Sequence, residues 1–495
     1  MAVVIALDAG TTGVRAFAVN ESGKEAGYRY REFRQHFPRP GWVEHDAGEI
    51  WSAIVGTTAE LMSSLDEPVA AIGITDQRET VVAWDRRTGR PLHRAIVWQD
   101  RRTAGRCEEL TEAGHLPRVR ETTGLVLDPY FSATKLEWLF TEGGVEPGPD
   151  VAVGTIDSWL LWNLTGGEVH ATEVSNASRT MLFDIRSLAW DPELCDLFGV
   201  PAHVLPEVLP SSGRFGTTHQ RSGLPPGIPI SGIGGDQQAA LFGQACFAPG
   251  DTKNTYGTGS FVLMNVGTTC PEPVEGLLTT VAWTIPDGDG VRTDYALEGS
   301  IFSTGSAVQW LRDGLGVIDR ADETGPLAAS VEHTDDAYFV PAFTGLGSPW
   351  WDPNARATLV GVTRGTTRAH LARAVVESMA YQTRDVVDAM VAHAGHQLTG
   401  LRADGGASAM DLLLQIQADQ LGVPVRRPQV QETTALGAAY LAGLAEGVWG
   451  STDDIGANWV LDAEFTPDPD RADADRHHQR WTEAVHRSLA WATPD

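Results

Sequence analysis

Lysine is almost missing from this chain: among 495 residues it occurs only at Lys24, Lys135 and Lys253, beside 34 arginines. Basic charge is scarce altogether, with 37 Lys and Arg against 65 Asp and Glu and a formal net charge of −28. A field of that sign repels nucleic acid and anionic membrane, so neither is an expected partner. An anionic substrate must then be held by local basic groups or backbone N–H groups. The arginine bias reads as codon usage first and salt adaptation second. Cysteine is also scarce, and Cys107, Cys195, Cys246 and Cys270 show no CxxC spacing. In a chain this long that points to free thiols in a reducing cytoplasm, not a disulfide framework. No apolar run approaches the ~18 to 20 residues that span a bilayer, which excludes membrane insertion by such helices. The opening run Met1-Ala-Val-Val-Ile-Ala-Leu-Asp8 lacks a basic segment and meets a carboxylate at once, so it reads as a strand and not as a signal peptide.

What remains is ordinary globular material, 42% hydrophobic and 21% charged. At ~150 residues per domain, the length suggests two large domains or about three. β-rich runs alternate with amphipathic helical runs, the pattern of α/β layers. Residues 3–7 read as a buried strand, followed by the turn Asp8-Ala9-Gly10-Thr11-Thr12-Gly13 and a second strand at 14–19. Half a chain later, Lys253-Asn-Thr-Tyr256 leads into Gly257-Thr258-Gly259 and a strand at 260–265. The repeat suggests two similarly built halves with a boundary near Ala245. Residues 370–393 keep a 3.6-residue apolar stripe through Leu371, Val375, Met379, Val386 and Met390, with Gly395 as the stop. A second helix is expected at 409–421, opening directly after Asp404-Gly405-Gly406-Ala407-Ser408 and closed by Gly422. The acidic segment 462–475 reads as a solvated surface.

Several residues carry candidate chemistry. In the turn after the first strand, glycines let backbone approach an anion, and N–H groups and Thr hydroxyls donate to phosphate oxygens. Asp8 at its start suits a cation that travels with ATP, because Mg²⁺ takes carboxylate and water oxygens. An ordinary Gly/Asp turn is the competing reading. Asp236 follows an expected strand at 228–233 and a Gly234-Gly235 turn, and precedes a helix at 237–245. A carboxylate at a strand's carboxyl end can accept a hydroxyl proton during phosphoryl transfer. Equally, an Asp there can be a helix N-cap. Arg78-Glu79 is either a solvated turn or a donor–acceptor pair for a polyol. Trp98 and Tyr130 are either core aromatics or pocket walls. Neither GxxxxGK[ST] nor GxGxxG occurs in a fitting setting.

Taken together, these residues and their neighbours resemble the FGGY carbohydrate-kinase family over essentially the whole chain. The matching stretches include Pro40-Gly-Trp-Val-Glu-His-Asp46, Gly73-Ile-Thr-Asp-Gln-Arg-Glu-Thr80, Tyr130-Phe-Ser-Ala-Thr-Lys-Leu-Glu-Trp138 and Asn176-Ala-Ser-Arg-Thr-Met-Leu-Phe183. Further matches are Gly235-Asp-Gln-Gln-Ala-Ala-Leu-Phe-Gly243, Lys253-Asn-Thr-Tyr-Gly-Thr-Gly259, Phe343-Thr-Gly-Leu-Gly347 and Ala357-Thr-Leu-Val-Gly-Val362, the last continuing through His370-Leu371 to Glu377.

The resemblance implies an α/β protein of two actin/hexokinase-like (ribonuclease H-like) domains, 1–245 and 246–495, with substrate and nucleotide in the cleft between them. It implies transfer of phosphate from ATP with Mg²⁺ to glycerol, in the cytoplasm, by a homodimer or homotetramer. Arg78, Glu79, Tyr130, Asp236 and Gln237 match polyol contacts, and Trp98 and Phe261 the apolar wall. Asp236 matches the general base, and with Asp8 the Mg²⁺ site through water. Thr11, Thr12, Gly13, Arg15 and Thr258 match phosphate contacts; Gly305, Gln309, Gly406 and Met410 match nucleotide contacts. Met410 stands where several relatives carry Asn. Pro226-Gly227 stands where members inhibited by fructose 1,6-bisphosphate carry Arg, so that control is not expected. His219 lies near a loop that some relatives have phosphorylated, but its neighbours differ, and it reads as a surface histidine. Two other readings remain open: a kinase of this family for erythritol, a pentulose or gluconate, and a nucleotide-gated binding protein without an acceptor.

Overall fold

The structure, a computed structural model, describes residues 2–492. Met1 of the opening run and the last three residues lie outside it. The first strand, β1 (Val3–Ala9), is buried throughout and apolar except for Asp8 near its end, as suits a central strand covered on both faces. It pairs antiparallel with β2 (Gly13–Asn20), which pairs with β3 (Glu25–Glu32). On its other side it runs parallel to β4 (Val69–Asp76), and the sheet continues with β5 (Ser212–Thr217) at the edge and β6 (Pro229–Gly235) beside β4. Ala9 stands opposite Asp76, and Asp76 opposite Gly235. Three parallel strands therefore finish together, which brings Asp8, Asp76 and Asp236 to one edge.

The second sheet repeats this plan. β7 (Thr252–Tyr256) pairs antiparallel with β8 (Ser260–Gly267) and parallel with β11 (Leu401–Asp404). β9 (Leu278–Asp287) and β10 (Gly290–Ile301) extend one side, β12 (Val425–Pro428) and β13 (Leu461–Phe465) the other. The strand, glycine turn, strand unit seen twice in the sequence is thus the centre of both sheets.

The helices follow their patterns with shifted ends. α1 is Asp236–Gly243, and α2, Arg368–Ala394, is stopped by Gly395 in the left-handed region (φ 67°). α3, expected from Ala409, begins at Asp411 after a 3₁₀ turn at Gly406–Ala409. Gly234 and Gly235 are not a turn but the end of β6, paired with Thr75 and Asp76. Gly is needed there because a Cβ at Gly235 would lie 2.8 Å from the Arg78 side chain. The acidic segment 462–475 is solvated, with its carboxylates exposed, and it supplies β13 and opens α5 (Ala472–Ser488). Its carboxylates meet arginines, Asp462 with Arg427 at 2.7 Å, Glu464 with Arg426 at 2.6 Å and Asp475 with Arg384 at 2.7 Å. His219 is a partly exposed histidine beside Gly166 that accepts the Arg221 main-chain N–H at 3.0 Å.

The helix α4 (Thr433–Ala445) ties the halves together. It comes from the second half of the chain yet lies on the first sheet, with backbone at near-minimal distance. A Cβ at Gly73 would sit 2.1 Å from the Ala438 carbonyl oxygen, and one at Gly437 would sit 1.8 Å from that of Ala239. Overpacking such a contact costs ~1 to 3 kcal/mol or more. Gly437→Ala is therefore expected to lower the thermal midpoint by several degrees, whereas Gly456→Ala, where a Cβ meets nothing within 4 Å, leaves it nearly unchanged. Scanning calorimetry of the two variants checks this.

Candidate active site

At the edge where β1, β4 and β6 end, a group of charges is closed off from water. Arg78 is 2% exposed; its guanidinium donates to Glu298 at 2.5 and 3.0 Å, to Gln238 at 3.1 Å and to the Tyr130 hydroxyl at 3.3 Å. Its Nε lies 3.1 Å from Asp236. Arg179, fully buried, bridges Glu79 at 2.7 Å and Glu298 at 3.0 Å. Glu79 holds a left-handed backbone (φ 62°), uncommon for a residue with a side chain. The pair Arg78-Glu79 is thus no solvated turn. The two arginines keep the Glu298 carboxyl down at about 2, against the upward push of burial. Glu79 is raised above its ordinary value because burial outweighs Arg78 and Arg179.

Asp236 is partly open, with 29% of its side chain exposed, though it lines neither of the two cavities that meet at Thr258. Its enclosed position raises its pKa, and the charges of Arg78 and Lys253 hold that rise back. Burial lifts Asp8 to about 6; Arg15 opposes the shift and Asp236 adds to it. Gln237 is buried and accepts from Lys253 Nζ at 2.6 Å. Burial takes Lys253 down to about 8. Trp98 stands edge-on to Tyr130 at 5.6 Å and to Phe261 at 6.4 Å, and the Arg78 guanidinium lies 5.8 Å from the Phe261 ring centre. Trp98, Tyr130 and Phe261 line a cavity of about 450 Å³ that reaches Thr258.

Thr258 also borders a second cavity, of about 770 Å³. Gly305, Gln309, Gly406 and Met410 line it, two from the short helix Gly305–Gln309 and two from the turn that opens α3, about a hundred residues later. Its size suits a nucleotide. The remaining expected phosphate contacts, Thr11, Thr12, Gly13 and Arg15, line neither cavity. Thr11 is reached by Trp98, whose indole N–H donates to its hydroxyl at 3.0 Å. Gly13 is packed under Tyr30, and Arg15 is turned to the carboxylates of Asp8 and Glu432.

Four participants carried no role in the sequence reading. Arg179 and Lys253 lay inside matched stretches without an assigned task. Asp76, whose Oδ1 accepts from Asn176 at 3.0 Å, ends the strand between Asp8 and Asp236. Glu298, in the middle of a long strand, gives no local signal at all. Breaking a buried ion pair from one side costs ~3 to 5 kcal/mol because the partner charge is stranded. Glu298→Gln is therefore expected to lower the melting temperature and to raise KM for the polyol ~10-fold or more while KM for ATP moves little. An unchanged polyol KM in a folded variant would remove Glu298 from the support of Arg78.

Comparison with known proteins fits this geometry. Residues 3–243 match the N-terminal domain of the FGGY family of carbohydrate kinases, and residues 252–446 match its C-terminal domain. A glycerol kinase of Bordetella parapertussis is 53% identical over 501 residues, covering 99% of this chain and 98% of its own. One of Symbiobacterium thermophilum is 54% identical, covering 99% of each. Among solved structures, Plasmodium falciparum glycerol kinase with ADP superposes with a TM-score of 0.92 at 35% identity, over 99% of this chain and 98% of its own. A xylulose kinase of Lactobacillus acidophilus shares the fold, with a TM-score of 0.88 at 21% identity, over 98% of each chain. The chain belongs to the FGGY family of carbohydrate kinases.

Proposed function

We propose that this protein transfers the γ-phosphoryl group of ATP to glycerol, forming sn-glycerol 3-phosphate, with Asp236 as general base. The observation that carries the reading is the meeting of two cavities at Thr258: one walled by Trp98, Tyr130 and Phe261, behind which Arg78 ties the Tyr130 hydroxyl to Asp236, the other of nucleotide size. Relatives named glycerol kinase, 52–54% identical over their full length, support the same substrate. The base and the charge cluster serve any polyol; the aromatic wall suits a short one.

Arg78 and Glu79 orient the hydroxyls, one donating and the other accepting. Asp236 takes the proton of the attacking hydroxyl as its oxygen approaches the phosphorus in line. Lys253, the loop Gly10-Thr11-Thr12 and Thr258 supply donors where negative charge gathers. Closure of the cleft excludes water, so that the polyol and not water meets the phosphoryl group.

Mg²⁺ fits the carboxylates at the strand ends. Asp76 Oδ2 is buried with no hydrogen-bond partner. Asp8 has Arg15 as its side-chain donor, at 3.3 Å. Mg²⁺ in kinase sites is bound by one or two carboxylates with waters and substrate phosphates as further ligands. Asp8 and Asp236 would hold it through water, and the ion supplies charge neutralisation of the phosphate oxygens. We also assign polyol and Mg²⁺ binding to residues 1–245 and nucleotide binding to 246–495, and a cytoplasmic homodimer or homotetramer as the working form. The four unpaired cysteines favour the reducing compartment.

ADP release with Mg-ATP across glycerol, dihydroxyacetone, erythritol, xylulose and gluconate tests the substrate; the largest stimulation is expected with glycerol, and a larger one with a longer sugar would overturn the three-carbon reading. Asp236→Asn is expected to lower kcat by ~10² to 10⁴. The base works deprotonated and its pKa is raised, so kcat/KM for glycerol falls with pH from above the ordinary aspartate value. That acid limb disappears in Asp236→Asn, which a pH–rate profile reads directly.

A further inference from the structure

The run Pro40-Gly-Trp-Val-Glu-His-Asp46 has no part in the reaction as described, yet it delivers a buried side chain to the phosphate loop. Two short strands, Gln35–His36 and Glu44–His45, pair antiparallel with Gln35 opposite His45. His45 is fully buried, with Phe33 edge-on at 4.9 Å. Its imidazole sits between two glutamines. Gln35 Oε1 lies 2.6 Å from Nε2, and Gln77 Nε2 lies 3.2 Å from Nδ1.

Each glutamine reaches on to a main-chain carbonyl of the loop. Gln77 Nε2 donates to Gly10 at 3.0 Å, and Gln35 Nε2 donates to Thr11 at 2.9 Å. A carbonyl only accepts, so both amides are fixed in orientation. The two N–H groups of Gln77 are then spent on Gly10 and on Nδ1, which must be the bare ring nitrogen. Gln35 Oε1 can only accept, so Nε2 carries the proton. One neutral tautomer satisfies every contact, and a doubly protonated ring would set N–H against N–H. Burial and the nearby His36, which hold the ring's pKa down at about 3, act in the same sense. The Gln77 main-chain N–H adds a third tie, to Ala9 at 2.8 Å.

The chain of donors continues to the polyol wall. Gln77 Oε1 accepts from the Thr80 hydroxyl at 3.1 Å, which accepts from the Trp98 main-chain N–H at 3.2 Å. The Trp98 indole returns to Thr11.

We propose that His45 is a positioning residue for phosphoryl transfer: with Gln35 and Gln77 it clamps the carbonyls of Ala9, Gly10 and Thr11, so that the loop's N–H groups and hydroxyls face the phosphates. This rests on the reading of that loop as the phosphate contact. The clamp acts on ATP and on turnover, because it holds the phosphate loop itself and meets the polyol wall only at its far end.

The test compares His45→Ala, Gln35→Ala, their double variant, His45→Asn and Thr11→Ala/Thr12→Ala in the full chain. The readouts are kcat, KM for ATP, glycerol binding without nucleotide, and thermal midpoint. Gln35→Ala removes a half-buried side chain and cuts the clamp without emptying the space under Phe33. Each single clamp variant is expected to lower kcat/KM for Mg-ATP ~10- to 100-fold, the usual penalty for a slightly misplaced reacting group. The double variant should be no worse than the poorer single within ~3-fold, because both cut one chain. His45→Asn, which keeps an acceptor near the Nδ1 position, should recover part of the loss, and glycerol binding should stay within ~2-fold. Normal ATP kinetics in the clamp variants, with Thr11→Ala/Thr12→Ala impaired, overturns the clamp and leaves the phosphate loop standing. Normal kinetics in Thr11→Ala/Thr12→Ala overturns the loop reading, and the clamp with it. A lower midpoint with equal losses for glycerol and ATP marks His45 as a core residue and overturns the proposal.

Discussion

The buried ion cluster of Arg78, Arg179, Glu79 and Glu298 is the constraint on which the cleft depends. Two cations and two anions cancel, and each lies where a lone charge would be costly. Three of the four come from the first half of the chain and one, Glu298, from β10 of the second. The chemistry-bearing face of Arg78 can therefore point at Asp236 and the aromatic wall only while both halves are docked. Its electrostatics also explain how two carboxylates in one enclosure differ. Glu298 is held ionised by two guanidiniums, while Asp236, partly exposed, has only the Nε of Arg78 and the weaker pull of Lys253. The first carboxylate is held in its charged form, and the second binds a proton more readily than an ordinary aspartate.

A second constraint is backbone contact. α4 lies on the first sheet at Gly73 and Gly232, and its Gly437 meets α1 at Ala239 and Gly243. Such contacts leave no room for side chains, so the two halves share a layer and do not merely face each other. Loss of the docking would disturb the sheet whose strand ends carry Asp8, Asp76 and Asp236.

Much of this was legible in the sequence. β1, the two glycine turns and α2 follow from local patterns, and their observed bounds differ by a residue or two. The boundary after Gly235 was misread because a Gly-Gly pair normally breaks a strand; here the parallel pairing with β4 uses only backbone, and the missing side chains make room for Arg78. α3 starts late because the residues after Gly405 first form a tighter 3₁₀ turn. The acidic segment is solvated, as its composition suggests, but its arginine partners lie 35 to 91 residues away, beyond the reach of local pattern. Glu298 was invisible for the same reason: its meaning comes from Arg78 and Arg179, 220 and 119 positions distant. Spacing reports helices and turns, and it is silent about charges that meet only after folding.

The near-absence of lysine has a practical side once the structure is known. Lys135 is buried, its ammonium donating to the carbonyls of Tyr130 at 2.6 Å and Phe131 at 2.9 Å. Lys253 is buried against Gln237. Lys24, beside the turn between β2 and β3, is the single exposed lysine. Amine-directed acylation, crosslinking or attachment to a surface would therefore be close to site-specific on lysine, meeting the folded molecule at one hairpin on the edge side of the first sheet. Lys135, spent on two internal carbonyls, would meet the same reagents only in unfolded chains, which makes its labelling a readout of the unfolded fraction.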